Sequence, residues 1–345
     1  MISNIKIQNF KSIGPKEVSL ELKPLTLLVG PNGSGKSSII EAITVAAQGG
    51  SLQGEMFNVP PHEALFQQQE SGDMVITVMF TQDIGYQFIS KFANGALIGN
   101  SGAEVGSRGK GTEKLNSELI GRYFPLSSVR GNVPTETQTN RNITWVGVHG
   151  ERLLDVLAVI YGQRTHDKAA AQITYWANKF GLTGLKAGFW GSNRLSADYR
   201  DNALKTSLRL ALASSGARQV LTVISQLFWS PPQSIIAIEE PEISLHPKAQ
   251  IDISALYSDV LKAGKQIIAT THSSLMLLAI MSAIQKQLLR AEDVVIYHVE
   301  KRRGTGTLVK NLPINKQGRT NRWIPSFAKE ERRLLQEWLN ILPEK

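Results

Sequence analysis

The sequence predicts an α/β fold with a mixed central sheet, built around a glycine-rich turn. An apolar run at 25–29 leads into a glycine-rich turn, and a helical pattern follows that turn. Two further apolar runs, 234–240 and 266–272, have the length and composition of buried strands, and the helical pattern 247–263 separates them. A strand, helix, strand order of this kind typically gives a parallel pair.

The turn after the first apolar run matches the phosphate-binding pattern G-x-x-x-x-G-K-S. In this pattern backbone N–H groups surround the phosphates, the lysine reaches the β and γ oxygens, and the hydroxyl holds Mg²⁺. The matching residues, with one further serine, are Gly30, Pro31, Asn32, Gly33, Ser34, Gly35, Lys36, Ser37 and Ser38. The sequence therefore predicts nucleotide binding, and the alternative is a loop that has lost its ligand.

Composition and length describe an ordinary globular chain. The 345 residues are 42% hydrophobic and 19% charged, which allows two domains or one large α/β unit with an insertion. No apolar segment approaches the ~18 residues that cross a bilayer, and the first residues do not form a signal peptide. The chain has no cysteine, which excludes disulfides and thiolate metal sites. We expect a cytoplasmic protein without a membrane partner.

The net charge of +9 is concentrated in one segment. Residues 301–333 contain ten lysines and arginines but only two acids, which accounts for nearly all of the excess. Such a segment could follow a nucleic-acid backbone or contact an acidic partner protein. A solvated basic edge is the alternative.

The rest of the chain predicts one β-rich and one helical region. The helical pattern runs from Gly150 to about Phe228, and the patch 184–199 is ambiguous. Six glycines between 94 and 112 predict a mobile loop. The other expected elements are a hairpin over 2–22, strands at 74–80 and 86–89, short strands at 122–130 and 143–148, a hairpin of 294–299 with 305–312, and a helix over 330–342.

Four features follow one another along the chain: the phosphate loop, a serine-glycine turn, a strand that ends in acids and a strand that ends in a histidine. The corresponding segments are 30–37, 214–218, 235–247 and 267–274. In this order they resemble the ATP-binding-cassette (ABC) ATPases of the SMC, RecF and OLD type. The resemblance implies a P-loop NTPase fold of the ABC type, with an antiparallel β subdomain and a helical subdomain that carries the signature motif. It also implies ATP and Mg²⁺ as ligands.

The resemblance covers most of the chain and implies a single ABC-type domain over 1–345. The long interval between Lys36 and Glu239 has no heptad pattern, so we expect no SMC-type arm. After His272 the only aspartate is Asp293, so we expect no OLD-type nuclease module. The expected parts are a nucleotide-binding core at 1–48 and 230–300, a β-rich lobe with a flexible loop at 49–149, a helical lobe with the signature at 150–229, and a basic hairpin and helix at 301–345.

The strand ends supply the candidate catalytic residues. Beside a phosphate loop, one carboxylate can order the Mg²⁺ shell and the next can polarise the attacking water. We assign Glu239, together with Ser37, to Mg²⁺ and Glu240 to the water. The family usually has aspartate at the position of Glu239, so contact through water is expected. His272 can donate a hydrogen bond to the γ-phosphate that Lys36 also binds. The alternatives are acids that cap a turn and a structural histidine.

Ser214, Ser215 and Gly216 match the family signature imperfectly, because the family usually has Ser-Gly-Gly followed by Gln or Glu. The resemblance places this turn on the phosphate of a second subunit, which implies a homodimer or a higher homo-oligomer. A plain helix N-cap is the alternative. The glutamine that senses Mg²⁺ in the family cannot be placed, because Arg130 follows the relevant strand and Gln138 is merely nearby.

The predicted function is an ATP-dependent molecular switch, in which two copies close on two ATP molecules and hydrolysis reopens them. By resemblance, the closed form would act on DNA or hold a separately encoded effector, such as a nuclease or a toxin, in DNA repair or anti-phage defence. Glu239 and the imperfect signature suggest an alternative, a nucleotide-gated scaffold with negligible hydrolysis. A transporter subunit is disfavoured because no coupling glutamine can be placed.

Overall fold

The structure is a computed structural model that describes residues 1–81, 83–106, 119, 121–134, 136–138, 143–190, 194–201, 204–320, 333 and 337. Its strands are β1 Ile2–Gln8, β2 Val18–Glu21, β3 Leu25–Val29, β4 Gly72–Phe80, β5 Ile84–Ala93, β6 Ala96–Gly106, β7 Tyr123–Leu126, β8 Thr137–Gln138, β9 Thr183–Trp190, β10 Arg194–Asp201, β11 Thr206–Arg209, β12 Ile235–Glu239, β13 Gln266–Thr271, β14 Val294–Arg302 and β15 Gly306–Asn311. Its helices are α1 Lys36–Ala47, α2 Pro61–Ala64, α3 Leu153–Gly162, α4 Asp167–Lys179, α5 Ser215–Trp229, α6 Pro247–Lys262 and α7 Ser274–Gln285.

A six-stranded sheet lies at the centre, in the order β15-β14-β3-β13-β12-β7. The strands from β14 to β7 are parallel, and β15 is antiparallel to β14. Alternate residues of the inner strands enter two separate hydrophobic cores, so that Leu27 packs in one core and Leu28 in the other. Because both faces are covered, these strands are continuous apolar runs in the sequence. The predicted α/β class with a mixed central sheet is confirmed.

An antiparallel sheet has the order β2-β1-β4-β5-β6. It contains the predicted hairpin of β1 and β2 and the predicted pairing of β4 with β5. The expectation of a mobile loop over 94–112 is wrong for residues 96–106, which form β6, while 107–112 lie outside the described residues. The glycines do not prevent pairing, because β5 supplies the backbone hydrogen bonds. Asn94 and Gly95 have the positive φ values, 50° and 73°, that a tight hairpin turn requires.

The region expected to be helical contains helices and a small sheet. α3, α4 and α5 lie where the helical pattern predicted them, and Trp176 is fully buried in the core that they share. Gly181, with φ 86°, follows the end of α4. The chain then forms β9, β10 and β11. The described part of the patch 184–199, which the sequence left ambiguous, is strand, and the helical expectation is wrong for the end of β10 and for β11. β10 pairs antiparallel with β8, β9 and β11.

Residues 143–148 form no strand, contrary to the prediction. Their backbone groups find partners elsewhere: Val146 N–H donates to Gln226 Oε1 at 2.9 Å, and the Val148 carbonyl accepts from Ser127 N–H at 2.9 Å. A buried amide side chain and a neighbouring loop therefore replace a strand ladder at this position.

The central sheet contains two strands from outside the ranges expected for the nucleotide-binding core. β7 lies within the range expected for the β-rich lobe, and β15 lies within the range expected for the C-terminal hairpin and helix. The expected helix over 330–342 falls outside the described residues, apart from Arg333 and Glu337. Within the described part of the chain, every helix is too short or too polar to cross a bilayer.

Gln266 ties the first strand to the central sheet, and its removal should destabilise the fold. Its side chain accepts from Ile2 N–H at 2.9 Å and donates to the carbonyls of Ile2 and Lys23 at 2.8 and 3.1 Å. Gln266→Ala should lower the free energy of unfolding by about 2–4 kcal/mol, because buried backbone groups lose their partners. Denaturant titration measures this loss. The exposed Gln69→Ala should change stability by less than about 0.5 kcal/mol, and equal losses in both variants would contradict this role.

Candidate nucleotide-binding site

Three parallel strands end side by side at the candidate site. The register aligns the ends of β3, β13 and β12. Gly30, His272 and Glu240 are the residues that directly follow these strands, so all three lie at one edge of the sheet. Ligands of α/β sheets typically bind at the carboxyl ends of the strands.

The loop 30–35 requires glycine at two positions. A Cβ at Gly30 would collide with the carbonyl of Val299. Gly35 has φ 103°, and a Cβ there would collide with the hydroxyls of Thr307 and Ser12. α1 begins directly after this glycine and has no side-chain N-cap, so its first N–H groups are available to an anion.

Lys36 lies against its own loop. Its ammonium group donates to two loop carbonyls, those of Gly30 and Pro31, at 2.9 Å each. Burial lowers the pKa of Lys36, and the carboxylates of Glu240, Glu242 and Glu239 act in the opposite direction. The lysine therefore lies within electrostatic reach of the acids at the end of β12.

Glu240 and His272 are in direct contact. Glu240 Oε1 lies 3.2 Å from His272 Nδ1, and both side chains are partly exposed. Glu240 has φ 45°, a left-handed conformation that is uncommon for a residue other than glycine. Its N–H donates to the carbonyl and the hydroxyl of Thr270, at 3.1 and 3.2 Å. The structure thus brings the lysine, the second acid and the histidine of the sequence prediction together.

Ser37 and Glu239 offer oxygen donors of the kind that Mg²⁺ prefers. Ser37 is exposed in the first turn of α1. Glu239 Oε2 accepts from Ser128 N–H at 3.4 Å. The described residues contain no group of three or more His, Cys, Asp or Glu side chains that could hold a metal ion. Mg²⁺ in nucleotide sites usually takes one or two protein oxygens together with phosphates and water, and this donor set fits that pattern.

The serine-glycine turn lies at the start of α5. Ser214 is the N-cap of this helix, and its hydroxyl accepts from Ala217 N–H at 3.3 Å. Ser215 is exposed, whereas Gly216 is buried so closely against Ser244 that a Cβ would collide with its carbonyl. The turn therefore packs on the loop that follows the two acids of the same chain.

Arg130 is a site residue that sequence reasoning did not identify. It is 5% exposed, and its guanidinium donates to the carbonyls of Ser127, Glu239 and Glu240 at 2.8, 2.6 and 2.9 Å. Burial lowers the pKa of Arg130 to about 10, so it remains charged at neutral pH. Its sequence signal was its position after β7, where the family has a glutamine. Gln138, the other residue considered there, lies in β8 of the small sheet.

Glu242 was also missed, although it belongs to the same acidic segment. It is 4% exposed and accepts a hydrogen bond from the hydroxyl of Thr271. Burial raises the pKa of Glu242, and the hydrogen bond from Thr271 opposes this effect. Glu242 therefore supports the loop after β12 from inside the protein and does not reach the solvent.

A cavity of about 700 Å³ adjoins the start of α1. Ser38 lines it and is hydrogen-bonded to Ser12 at 2.8 Å between the two Oγ atoms. Lys11 and the segment 301–304, at the end of β14 and in the turn after it, form a basic wall. The cavity therefore lies beside the first turn of α1, with cations on one wall.

Comparison with known families supports an ATPase fold. A model described as an AAA domain matches residues 4–146, and a model described as an AAA ATPase domain matches residues 163–277. Each covers a different part of the chain, and the boundary between them falls near the start of α3.

Two curated relatives are similar over most of this chain. The OLD nuclease of Thermus scotoductus is 22% identical over 320 residues, which cover 79% of this chain and 59% of the relative. The Septu protein PtuA of Bacillus mycoides is 23% identical over 315 residues, which cover 87% of this chain and 42% of the relative. The chain thus spans about half the length of these relatives.

Solved SMC heads share the fold. The SmcHead bound to the C-winged helix domain of ScpA has a TM-score of 0.58 at 17% identity, covering 91% of this chain and 98% of that one. The SMC head domain from Thermotoga maritima has a TM-score of 0.52 at 14% identity, covering 91% and 99%. At such identities the likeness establishes the fold alone.

Gly35→Ala should weaken nucleotide binding by at least about tenfold, because both its φ and its neighbours exclude a Cβ. Titration with a fluorescent nucleotide measures the affinity. Gly264→Ala is the matched control: Gly264 also has a positive φ, 73°, but a Cβ there meets nothing within 4 Å. It should leave affinity unchanged. Unaltered binding by Gly35→Ala would contradict the assignment of the loop.

Proposed function

We propose that this chain, which is similar to the SMC/RecF/OLD-like group of ABC-type ATPases, is a molecular switch driven by ATP. The observation that carries this proposal is the convergence of Lys36, Glu240 and His272 at the edge of one sheet. A cation for the phosphates, a carboxylate for the water and a donor for the γ-phosphate are the groups that phosphoryl transfer requires.

Hydrolysis would use these side chains as follows. Lys36 exchanges its loop carbonyls for the β- and γ-phosphate oxygens. Glu240 orients the attacking water and accepts its proton. In its imidazolium form, His272 donates from Nδ1 to Glu240 and from its other ring nitrogen to the γ-phosphate. Ser37 and, through water, Glu239 would hold Mg²⁺, which neutralises the phosphate charge.

Exposed groups around the signature turn support a head-to-head homodimer. Val129, next to Arg130, and Leu212, just before the signature turn, are 76% and 70% exposed, the two highest values among the large apolar side chains of the described residues. Ser214 and Ser215 are also exposed, at the start of α5, where an anion can meet the positive end of the helix. A second copy would cover the apolar side chains and receive Ser214 at its γ-phosphate.

The output of the switch is proposed to be an action on DNA in repair or anti-phage defence. The names of the similar proteins, a nuclease, a Septu protein and SMC heads, favour this direction. The described residues add the exposed cations Lys301, Arg302 and Arg303 of the segment 301–304, which lines the cavity beside α1. Control of a separately encoded effector is the alternative output, and the SMC head solved with a ScpA domain gives an example of a bound partner.

Glu240→Gln should slow phosphate release by about 100-fold or more, because the amide cannot accept a proton. ATP binding should persist, so dimers that form with ATP should remain closed in light-scattering measurements. Glu17→Gln, a surface change, should behave as the wild type. Normal turnover by Glu240→Gln would show that another group activates the water. A wild type that binds ATP without releasing phosphate would instead favour the scaffold suggested by Glu239.

Reversing the charge of two cations in the segment 301–304 should weaken DNA binding. In the variant Lys301→Glu/Arg303→Glu, affinity for duplex DNA should fall about tenfold or more at low salt, and the salt dependence should become shallower. Fluorescence anisotropy at several salt concentrations measures both. Lys168→Glu/Lys286→Glu makes the same charge change on exposed residues elsewhere. Equal losses in the two variants, or no DNA binding by the wild type, would favour an effector protein as the partner.

A further inference from the structure

Arg130 is a buried cation whose hydrogen bonds, within the described part of the chain, all go to backbone carbonyls. Its three hydrogen bonds go to Ser127, Glu239 and Glu240, and among the described residues it forms no ion pair within 4.0 Å. Burial of a charge without a direct ion pair is costly, and apolar residues are often the more stable choice. This cost indicates that Arg130 serves a purpose other than stability.

The carbonyls that Arg130 binds are available because β7 ends early. β7 pairs with β12 only as far as Leu126 and Ile238, one residue before β12 ends. The carbonyls of Glu239 and Glu240 therefore lie beyond the ladder on that side. A planar guanidinium can bind two such acceptors at once, and Arg130 does so with its two terminal nitrogens.

These bonds hold a backbone conformation that would not persist by itself. Glu240 has φ 45°, which costs free energy in a residue with a side chain. Thr270 fixes its N–H, and Arg130 fixes its carbonyl. With both ends held, Glu240 Oε1 stays 3.2 Å from His272. Release of the carbonyl would let the turn relax and would move the carboxylate.

The same loop contacts the helix that carries the signature turn. Gly131 has φ 78°, and a Cβ there would lie 2.8 Å from the backbone nitrogen of Gln219 in α5. Gly131 N–H also donates to the carbonyl of His149 at 3.0 Å. Arg130 therefore lies between α5 and the turn at Glu240, so a displacement of α5 would reach Glu240 through this loop.

We propose that Arg130 is a positioning residue. It orients the Glu240 carboxylate and makes that orientation depend on the position of α5. It takes the place in the fold where a glutamine was expected, but it acts on the backbone of the acids. This inference rests on the proposed role of Glu240 in hydrolysis.

The first test is Arg130→Lys, because a single ammonium cannot span the same carbonyls. We expect kcat to fall about tenfold or more, while the Kd for ATP changes less than about threefold. Rates are expressed per molecule that binds nucleotide, which removes the effect of any unfolded fraction. Arg122→Lys, at the other end of β7, should match the wild type. An unchanged kcat in Arg130→Lys, or a loss confined to the Kd, would overturn the proposal.

The second test asks whether Arg130 acts through Glu240. Arg130→Lys should add no further loss of hydrolysis to Glu240→Gln, because the carboxylate that it aims is already absent. Multiplicative losses would show an independent effect and would overturn the proposal. Full activity of Glu240→Gln alone would instead overturn the proposed function, so the two failures are distinguishable.

A third test moves the guanidinium without removing it. Gly131→Ala should push the loop away from Gln219 and lower kcat while ATP still binds. Gly181→Ala, at a positive φ with open space around it, is the matched control. Equal rates for Gly131→Ala and the control would overturn the link to α5.

Discussion

The parallel register of β3, β13 and β12 is the constraint on which the site depends. These strands are buried on both faces, and their alternate residues fill two different cores. A slip of one residue would exchange every side chain between the two cores, so the register is strongly determined. The loop after one strand, the acids after another and the histidine after the third are therefore held together, although they are distant along the chain.

Charges of both signs converge at this edge. Lys36 lies within electrostatic reach of the carboxylates at the end of β12, and Arg130 holds the backbone from which two of them extend. Burial lowers the pKa of both cations, and the neighbouring acids limit that effect. A phosphate ligand would give Lys36 a better partner than its present loop carbonyls. Arg130 cannot exchange its partners for a phosphate in this way, because the carbonyls that it binds are part of the folded backbone.

Two contacts join the helical lobe to the acidic turn. Gly216 at the start of α5 packs on Ser244, and Gln219 one turn later packs on Gly131. Both contacts require glycine because backbone meets backbone. The signature turn is thus anchored beside the acids of its own chain, and its exposed serines remain directed at solvent, where a second copy could use them.

The local chemistry and the inner strands were readable from the sequence, because each is encoded in contiguous residues. The phosphate loop, the acids after β12 and the histidine after β13 follow from short patterns, and continuous apolar runs indicate strands covered on both faces. Other features depend on remote partners. β6 is glycine-rich and becomes a strand only because β5 supplies its hydrogen bonds. From the sequence, Arg130 could be an ordinary surface cation. In the structure β7 ends one residue before β12, which leaves carbonyls that Arg130 can bind. Tertiary structure alone decided these features, because hydrogen bonds to backbone leave no signature in the side chains of the accepting residues.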